Sequence, residues 1–179
     1  MKNIAIVLII SLIATPVLSE SKYSGSGFGG LYGQLPIPAN TDRLQSLRTL
    51  GFQLGGEFFC SDYKGHSVLA SLVGVKGAGS KIIGGELGYR YDFHDLKDKG
   101  MLFVDVGVGM NRIMEKLNWF QYNLLGAGIG WHMDVGPGKV NAFLRPTIAN
   151  LSTTMPQSGP NPSWQFMAIA GVSFSYPLF

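Results

Sequence analysis

The stretch that decides the fold is residues 101–111, MLFVDVGVGMN, in which two kinds of residue alternate without a break. Every second position from Leu102 to Met110 is apolar, whereas Asp105 and Asn111 fall on the other set of positions together with two glycines. Successive side chains of an extended strand point to opposite faces. The pattern therefore predicts a strand that separates an apolar environment from a polar one.

The same alternation recurs on both sides of this stretch. It is clear in residues 81–93, 47–59, 139–150 and 163–179, and weaker in residues 25–35, 66–76 and 118–133. These segments predict eight strands, most of about ten or more residues. Strands of soluble proteins average about five to six residues, whereas tilted strands that cross a membrane need about 9–11. We therefore expect an all-β protein, an eight-stranded antiparallel up-and-down transmembrane β-barrel that closes and so leaves no free edge.

The composition excludes several classes of protein. Of the 179 residues 25 are glycine, and 46% are hydrophobic but only 14% are charged. A soluble domain usually has about 25% charged residues and about 7% glycine. No apolar run after residue 20 approaches the ~20 residues of a membrane-spanning helix. Cys60 is the only cysteine, which excludes an intrachain disulfide, and a formal net charge of +3 is too balanced to predict binding to nucleic acid.

The first nineteen residues have the pattern of a secretory signal peptide. Lys2 precedes an apolar core over residues 4–13, and Pro16 and Ser19 follow before the predicted cleavage site. An N-terminal anchor helix is the alternative, although the apolar core is short for one. We expect a cleaved signal peptide, 1–19, secretion across the inner membrane, and a single barrel domain, 20–179. With the amino terminus on the periplasmic side, the two longest connections, 35–46 and 150–162, both fall outside the cell.

Aromatic residues cluster near both ends of the predicted strands, as in the aromatic girdles of transmembrane barrels. The periplasmic girdle comprises Phe58, Phe59, Tyr89, Tyr91, Phe93, Phe103, Trp131, Phe174 and Tyr176. The outer girdle comprises Tyr32, Trp119, Phe120, Tyr122, Trp164 and Phe166. A soluble barrel has no physical reason to place aromatic residues at both rims, so the pattern favours a membrane.

In lipid the apolar face must point outward, so the polar face fills the lumen. An eight-stranded barrel is just wide enough for side chains to fill it, so we expect a plug of polar contacts and no pore. Buried charges need partners, and three of the carboxylates can pair with the two arginines. The predicted lumenal network is Glu57, Glu86, Arg90, Asp92, Asp105 and Arg145, with Gln53, Asn141 and Thr147 beside it. The many lumenal glycines relieve the crowding around these long side chains.

The signal peptide, the eight alternating strands, the two girdles and the C-terminal Phe179 together resemble the small Gram-negative outer-membrane barrels of the OmpX and OmpA transmembrane-domain type. The resemblance implies a location in the Gram-negative outer membrane, in contact with its lipids and lipopolysaccharide. It also implies insertion by the barrel assembly machinery, which recognises a terminal phenylalanine in that class. Phe179 is out of phase with Val172, Phe174 and Tyr176 unless Pro177 introduces a bulge. We expect a monomer without cofactors.

Motifs with catalytic or ligand-binding associations are weak in this chain. Residues 25–30, GSGFGG, match a dinucleotide-binding pattern but lack the helix that such a site requires. The S-x-x-K pattern at 61–64 lies in a predicted tight turn, and the three histidines lack metal-binding spacing. We therefore name no catalytic, cofactor-binding or metal-binding residue.

Lipid A modification is the main alternative activity, since some small barrels of this class hydrolyse or transfer its acyl chains. His66 and Ser67 are adjacent, however, so on a strand they point to opposite faces and cannot form a Ser–His pair. All three histidines also fall at the periplasmic end, away from the outer leaflet. The sequence favours a non-enzymatic protein with a structural or surface-interaction role through its outer loops. A lipid-A-modifying enzyme and a soluble barrel that binds an apolar ligand remain as alternatives.

Overall fold

The computed structural model describes residues 23–37, 49–60, 62–76, 80–115, 118–151 and 164–179. The predicted signal peptide, 1–19, lies outside these residues, as does most of the two long connections predicted over 35–46 and 150–162. Within the described part, no helix is long and apolar enough to cross a membrane.

Eight antiparallel strands form one closed barrel, so the predicted fold class is confirmed. Each strand pairs with the next one along the chain, and the last pairs with the first from Ser26–Pro177 to Ile37–Phe166. The strands are β1 Tyr23–Ile37, β2 Thr49–Cys60, β3 His66–Lys76, β4 Ser80–Asp95, β5 Met101–Glu115, β6 Asn118–Val135, β7 Gly138–Leu151 and β8 Trp164–Pro177.

The two ends of the barrel differ in their connections. β1 begins and β8 ends at one end, which we call the terminal rim; the opposite end is the loop rim. Short turns close the terminal rim between β2 and β3, β4 and β5, and β6 and β7. In the last of these, Gly136 has a φ of 60° at the first central position of a two-residue hairpin turn, a conformation that favours glycine. A 3-10 helix, Lys97–Lys99, forms part of the β4–β5 turn.

The outer wall of the barrel is apolar. Leu72 on β3 is 71% exposed, Phe52 on β2 67% and Ile83 on β4 61%. A monomeric soluble protein rarely exposes a contiguous apolar patch of more than a few hundred Å². Exposed apolar side chains occur on all eight strands of this barrel, down to Val104 on β5 at 42%.

The interior has two zones. The charged side chains occupy the half nearer the terminal rim, where Glu57, Arg90 and Asp105 are almost fully buried. The half nearer the loop rim holds a compact apolar cluster: Tyr32, Val73, Ile82, Ile113, Tyr122, Leu124, Ala149, Met167 and Ile169. The alternation in the sequence places apolar residues only on the lipid face and therefore does not predict this cluster. The cluster fills the barrel between the charged zone and the loop rim.

Candidate functional site

The side chain of Arg145 on β7 is the centre of the lumenal charge network. Its Nε and Nη2 atoms donate to the two oxygens of Asp105 on β5, at 3.2 and 2.7 Å, and its Nη1 donates to Glu86 on β4 at 3.0 Å. The other carboxylate oxygen of Glu86 accepts a 2.5 Å hydrogen bond from the hydroxyl of Tyr32 on β1. One guanidinium group thus connects four strands through charge-assisted hydrogen bonds, which are stronger than neutral ones.

A second cluster surrounds Arg90, nearer the terminal rim. Its Nη1 donates to Oε1 of Glu57 at 2.9 Å and to Oδ1 of Asn141 at 3.3 Å. The same oxygen of Glu57 accepts a 2.7 Å hydrogen bond from the hydroxyl of Ser67. The guanidinium carbon of Arg90 lies 3.9 Å from the ring centroid of Phe103, which is a cation–π geometry.

Asp92 lies at the mouth of the lumen on the terminal rim. Its Oδ2 atom is 3.2 Å from Nε2 of His132 on β6, whose ring stacks on Phe103. The structure therefore places the six charged residues of the predicted network inside the barrel, in three clusters around Arg145, Arg90 and Asp92. Sequence reasoning missed His132, although it shares the lumenal positions of β6 with Gly126, Gly128 and Gly130.

Glycines make room for the guanidinium group at the centre. A Cβ atom added at Gly107 would lie 2.8 Å from Nη1 of Arg145, and one added at Gly126 would lie 2.9 Å from its Cδ. A Cβ at Gly128 would lie 2.6 Å from the carbonyl oxygen of Leu144. Neighbouring glycines therefore accommodate a long side chain, as the sequence predicts.

Three aromatic residues that the sequence assigned to the girdles lie in the lumen instead. Tyr122, Tyr32 and Phe103 have no exposed surface. The hydroxyl of Tyr122 donates to Gln34 at 3.1 Å and accepts from Asn111 at 3.1 Å. The assignment of Tyr122 to the outer girdle is therefore wrong, because the lumenal glycines of β6 fix its even-numbered residues inside.

Phe59 shares the lumenal positions of β2 with Glu57 and is partly buried, so its assignment to the girdle is also wrong, whereas the remaining girdle residues lie on the outer wall where they are described. At the terminal rim these are Phe58, Tyr89, Tyr91, Phe93, Phe174 and Tyr176, each roughly half exposed. Trp131 is partly exposed there, and its Nε1 donates to the carbonyl oxygen of Lys99 at 2.6 Å. At the loop rim Trp164 is 60% exposed, whereas the side chains of Trp119 and Phe120 lie outside the described part.

The centre of the lumen, around the two arginines, has almost no free space. A cavity of about 30 Å³ lies among Gln53, Glu57, Ser71, Arg90 and Arg145. That volume holds about one or two water molecules, whereas ligand pockets measure about 300–1,000 Å³. A small-molecule ligand does not fit this part of the barrel.

The positions of His66 and Ser67 bear on catalysis. His66 faces outward, where its Nδ1 is hydrogen-bonded to the hydroxyl of Tyr89, while Ser67 faces inward to Glu57. These adjacent residues therefore form no nucleophile–base pair, as the alternation of a strand requires. Within the described residues, no group of three His, Cys, Asp or Glu side chains is arranged to hold a metal ion.

Comparison with known proteins identifies the fold. No protein-family model matches this chain, and no curated protein matches it in sequence. Its structure is similar to that of Neisserial surface protein A (NspA), with a TM-score of 0.58 and 11% identity, over 87% of this chain and 97% of the other. The N-terminal β-barrel domain of Pseudomonas aeruginosa OprF gives a TM-score of 0.48 at 13% identity, over 85% and 97% of the two chains. The chain thus has the fold of small eight-stranded outer-membrane barrels.

Proposed function

We propose that this chain is an integral protein of the Gram-negative outer membrane, a sealed and non-enzymatic barrel with a structural or surface-interaction role through its outer loops. The observation that carries this proposal is the inverted distribution of polarity. The outer wall exposes apolar side chains such as Leu72 and Phe52, while Arg90, Asp105 and Arg145 are buried inside. Only a surrounding apolar solvent makes that distribution favourable, because apolar surface in water is costly.

The rest of the proposal follows from this placement. Residues 1–19 serve as a cleaved signal peptide, and the terminal rim faces the periplasm. Phe179 provides the end that the barrel assembly machinery recognises; its carbonyl oxygen accepts a hydrogen bond from the nitrogen of Gly25 on β1 at 3.2 Å. The outer wall contacts the lipids of the membrane, lipopolysaccharide included, and the barrel is a monomer. The fold shared with a Neisserial surface protein supports this location.

Two observations favour this function over the alternatives. The small lumenal cavity argues against a soluble barrel that binds an apolar ligand. The opposite orientations of His66 and Ser67 argue against acyl hydrolysis by that pair.

Fractionation of cells that express the chain tests the location. We expect the protein in the outer-membrane band of a density gradient, resistant to a urea wash and released by detergent. Its gel mobility should change on heating, as a stable barrel unfolds in detergent only when boiled. Recovery from an aqueous periplasmic extract without detergent would contradict the proposal.

Mass spectrometry of lipid A tests the absence of enzymatic activity. Lipid A from cells with and without the protein should have the same acyl-chain composition. A gain or loss of the mass of one acyl chain in lipid A would contradict the proposed non-enzymatic role and would show that the protein modifies lipid A.

A further inference from the structure

Tyr89 on β4 lies between two apolar depressions in the outer wall at the terminal rim. Its cross-strand neighbours are Val68 on β3 and Val106 on β5, one in each depression. The first, which we call the rim cleft, has a volume of about 410 Å³ and is lined by Tyr23, Phe58, Tyr63, His66, Val68 and Tyr89. The second, the wall groove, has a volume of about 530 Å³ and is lined by Tyr89, Val104, Val106, Ala127, Ile129 and Pro146. The two depressions therefore meet at one side chain.

The wall groove arises from a local break in the barrel wall. The pairing of β6 with β7 runs from Gly126–Thr147 directly to Ile129–Leu144 and skips the residues between them. Pro146 lies in this gap and has no N–H to donate to β6. Since Ala127 is also small, the outer surface is recessed there. The groove runs across four neighbouring strands, from Tyr89 on β4 through Val106 and Ala127 to Pro146 on β7.

The chemistry of the rim cleft suits a cationic group. Tyrosine rings and hydroxyls line it, and the ring of His66 stacks on Tyr91 at a centroid distance of 4.6 Å. Cations are attracted to aromatic faces, and the hydroxyl oxygens can accept hydrogen bonds from an ammonium group. The turn that carries Tyr63 also carries Asp62 and Lys64, one on each side. The turn next to the cleft therefore contains one negative and one positive residue, the two charges that would complement the ammonium and the phosphate of a zwitterionic headgroup.

We propose that the rim cleft and the wall groove together bind one molecule of phosphatidylethanolamine from the leaflet at the terminal rim. The ammonium group lies among the aromatic rings beside Asp62, the phosphate lies near Lys64, and one acyl chain lies along the wall groove. A primary ammonium fits better than a quaternary one, because only the primary group can donate hydrogen bonds to the hydroxyls and the carboxylate. This site rests on the proposed location of the barrel in a membrane and adds a specific lipid to it.

Native mass spectrometry of the chain extracted from outer membranes in a mild detergent tests the site. We expect one retained phosphatidylethanolamine per barrel. On titration, that lipid should bind roughly threefold or more tightly than phosphatidylglycerol, which lacks the ammonium group. Equal binding of the two phospholipids, or stronger binding of lipid A, would overturn the site. A failure to recover the barrel in membranes would instead overturn the proposed function.

Two pairs of variants separate the site from general contact with lipid. Tyr63→Ala removes a ring that lines the rim cleft, whereas Tyr176→Ala removes an exposed ring elsewhere at the terminal rim. Ala127→Phe fills the wall groove, whereas Ala170→Phe adds the same ring to the outward face of β8. Each cleft or groove variant should weaken retention of phosphatidylethanolamine by roughly two- to fivefold, with no change in its control. Equal losses within each pair would contradict a specific site.

Discussion

At the scale of single residues, Arg145 shows how a charge is accommodated inside this barrel. Both carboxylates that pair with it, Glu86 and Asp105, come from other strands and are themselves nearly buried. Burial of an ion costs several kcal/mol, and the pairs offset that cost only when the geometry is good and the remaining polar atoms are satisfied. The bidentate contact with Asp105 and the hydrogen bond from Tyr32 to Glu86 meet both conditions.

Arg145→Met should therefore destabilise the barrel strongly. Two buried carboxylates would lose their partner, which typically costs about 3–5 kcal/mol. The measurement is the free energy of unfolding in urea, with the barrel reconstituted in lipid vesicles. Adding Asp105→Asn and Glu86→Gln to Arg145→Met should recover part of the loss, because the unpaired charges disappear. A triple variant less stable than Arg145→Met alone would contradict the network.

Tyr122 provides a second test at this scale, because its position separates the lumen from the girdle. Tyr122→Phe leaves Gln34 and Asn111 without their shared hydroxyl in a buried place, which should cost about 1–3 kcal/mol of unfolding free energy. Tyr176→Phe is the matched control, since Tyr176 is 51% exposed, and it should change stability by less than about 0.5 kcal/mol. Equal effects of the two substitutions on the free energy of unfolding would contradict the buried position of Tyr122 and would favour a position on the outer wall.

At the scale of elements, each strand has to place its bulky residues on the correct face. β6 does so with Gly126, Gly128 and Gly130, whose missing side chains leave space for Arg145, Thr147 and Phe103. A shift of one residue would turn every side chain of the strand to the opposite face. The lumenal glycines thus determine the phase of β6.

A pair of glycine substitutions tests this role. Gly128→Ala would place a Cβ 2.6 Å from the carbonyl oxygen of Leu144, whereas a Cβ at Gly74 on the outer wall would meet no atom within 4 Å. We expect Gly128→Ala to lower the free energy of unfolding by about 1–3 kcal/mol. Gly74→Ala should leave it unchanged or raise it by up to about 1 kcal/mol, because alanine loses less backbone entropy than glycine. If both variants have the same free energy of unfolding as the parent barrel, steric exclusion in the lumen does not determine which face of β6 points inward.

Much of the element scale could be predicted from the sequence, because an apolar outer wall and a polar interior impose a period of two. The alternation in 101–111 predicts β5, which extends to Glu115; the bounds of β3 agree with the predicted 66–76, and those of the other strands differ from the predicted ones by a few residues. The phase of β6 could not be predicted as well, since both of its faces contain apolar residues: Leu124 points inward and Leu125 outward. The pairing of Arg145 with Asp105 could not be predicted from the sequence either, because the register of the strands and the closure of the barrel decide which lumenal residues meet.

At the scale of the whole molecule, the two interior zones fill the described part of the barrel. The charged clusters block the half near the terminal rim, and the apolar cluster around Tyr32 and Ile113 blocks the other half. Larger barrels of 16–18 strands leave an aqueous channel, whereas eight strands leave room only for side chains. A porin-like role therefore does not fit the described interior.

Conductance in a planar lipid bilayer tests the seal. The reconstituted barrel should produce no steady ionic current above the background of the bilayer, because the cavity among the central charged residues has space for only one or two water molecules. The control is a porin reconstituted in the same way. A stable open level that scales with salt concentration would show that the lumen conducts.

The central claim is that the apolar wall of this barrel lies in lipid, and spin-label accessibility along β5 tests it most directly. Single cysteines at Val104, Val108 and Met110, in a Cys60→Ser chain reconstituted in vesicles, place labels on the outward face, and Lys97 in the β4–β5 turn is the aqueous control. We predict high collision rates with oxygen and low rates with a water-soluble nickel complex at the three strand positions. The label at Val108 should be deepest, and the label at Lys97 should show the reverse pattern. Nickel accessibility at Val108 as high as at Lys97 would contradict the account.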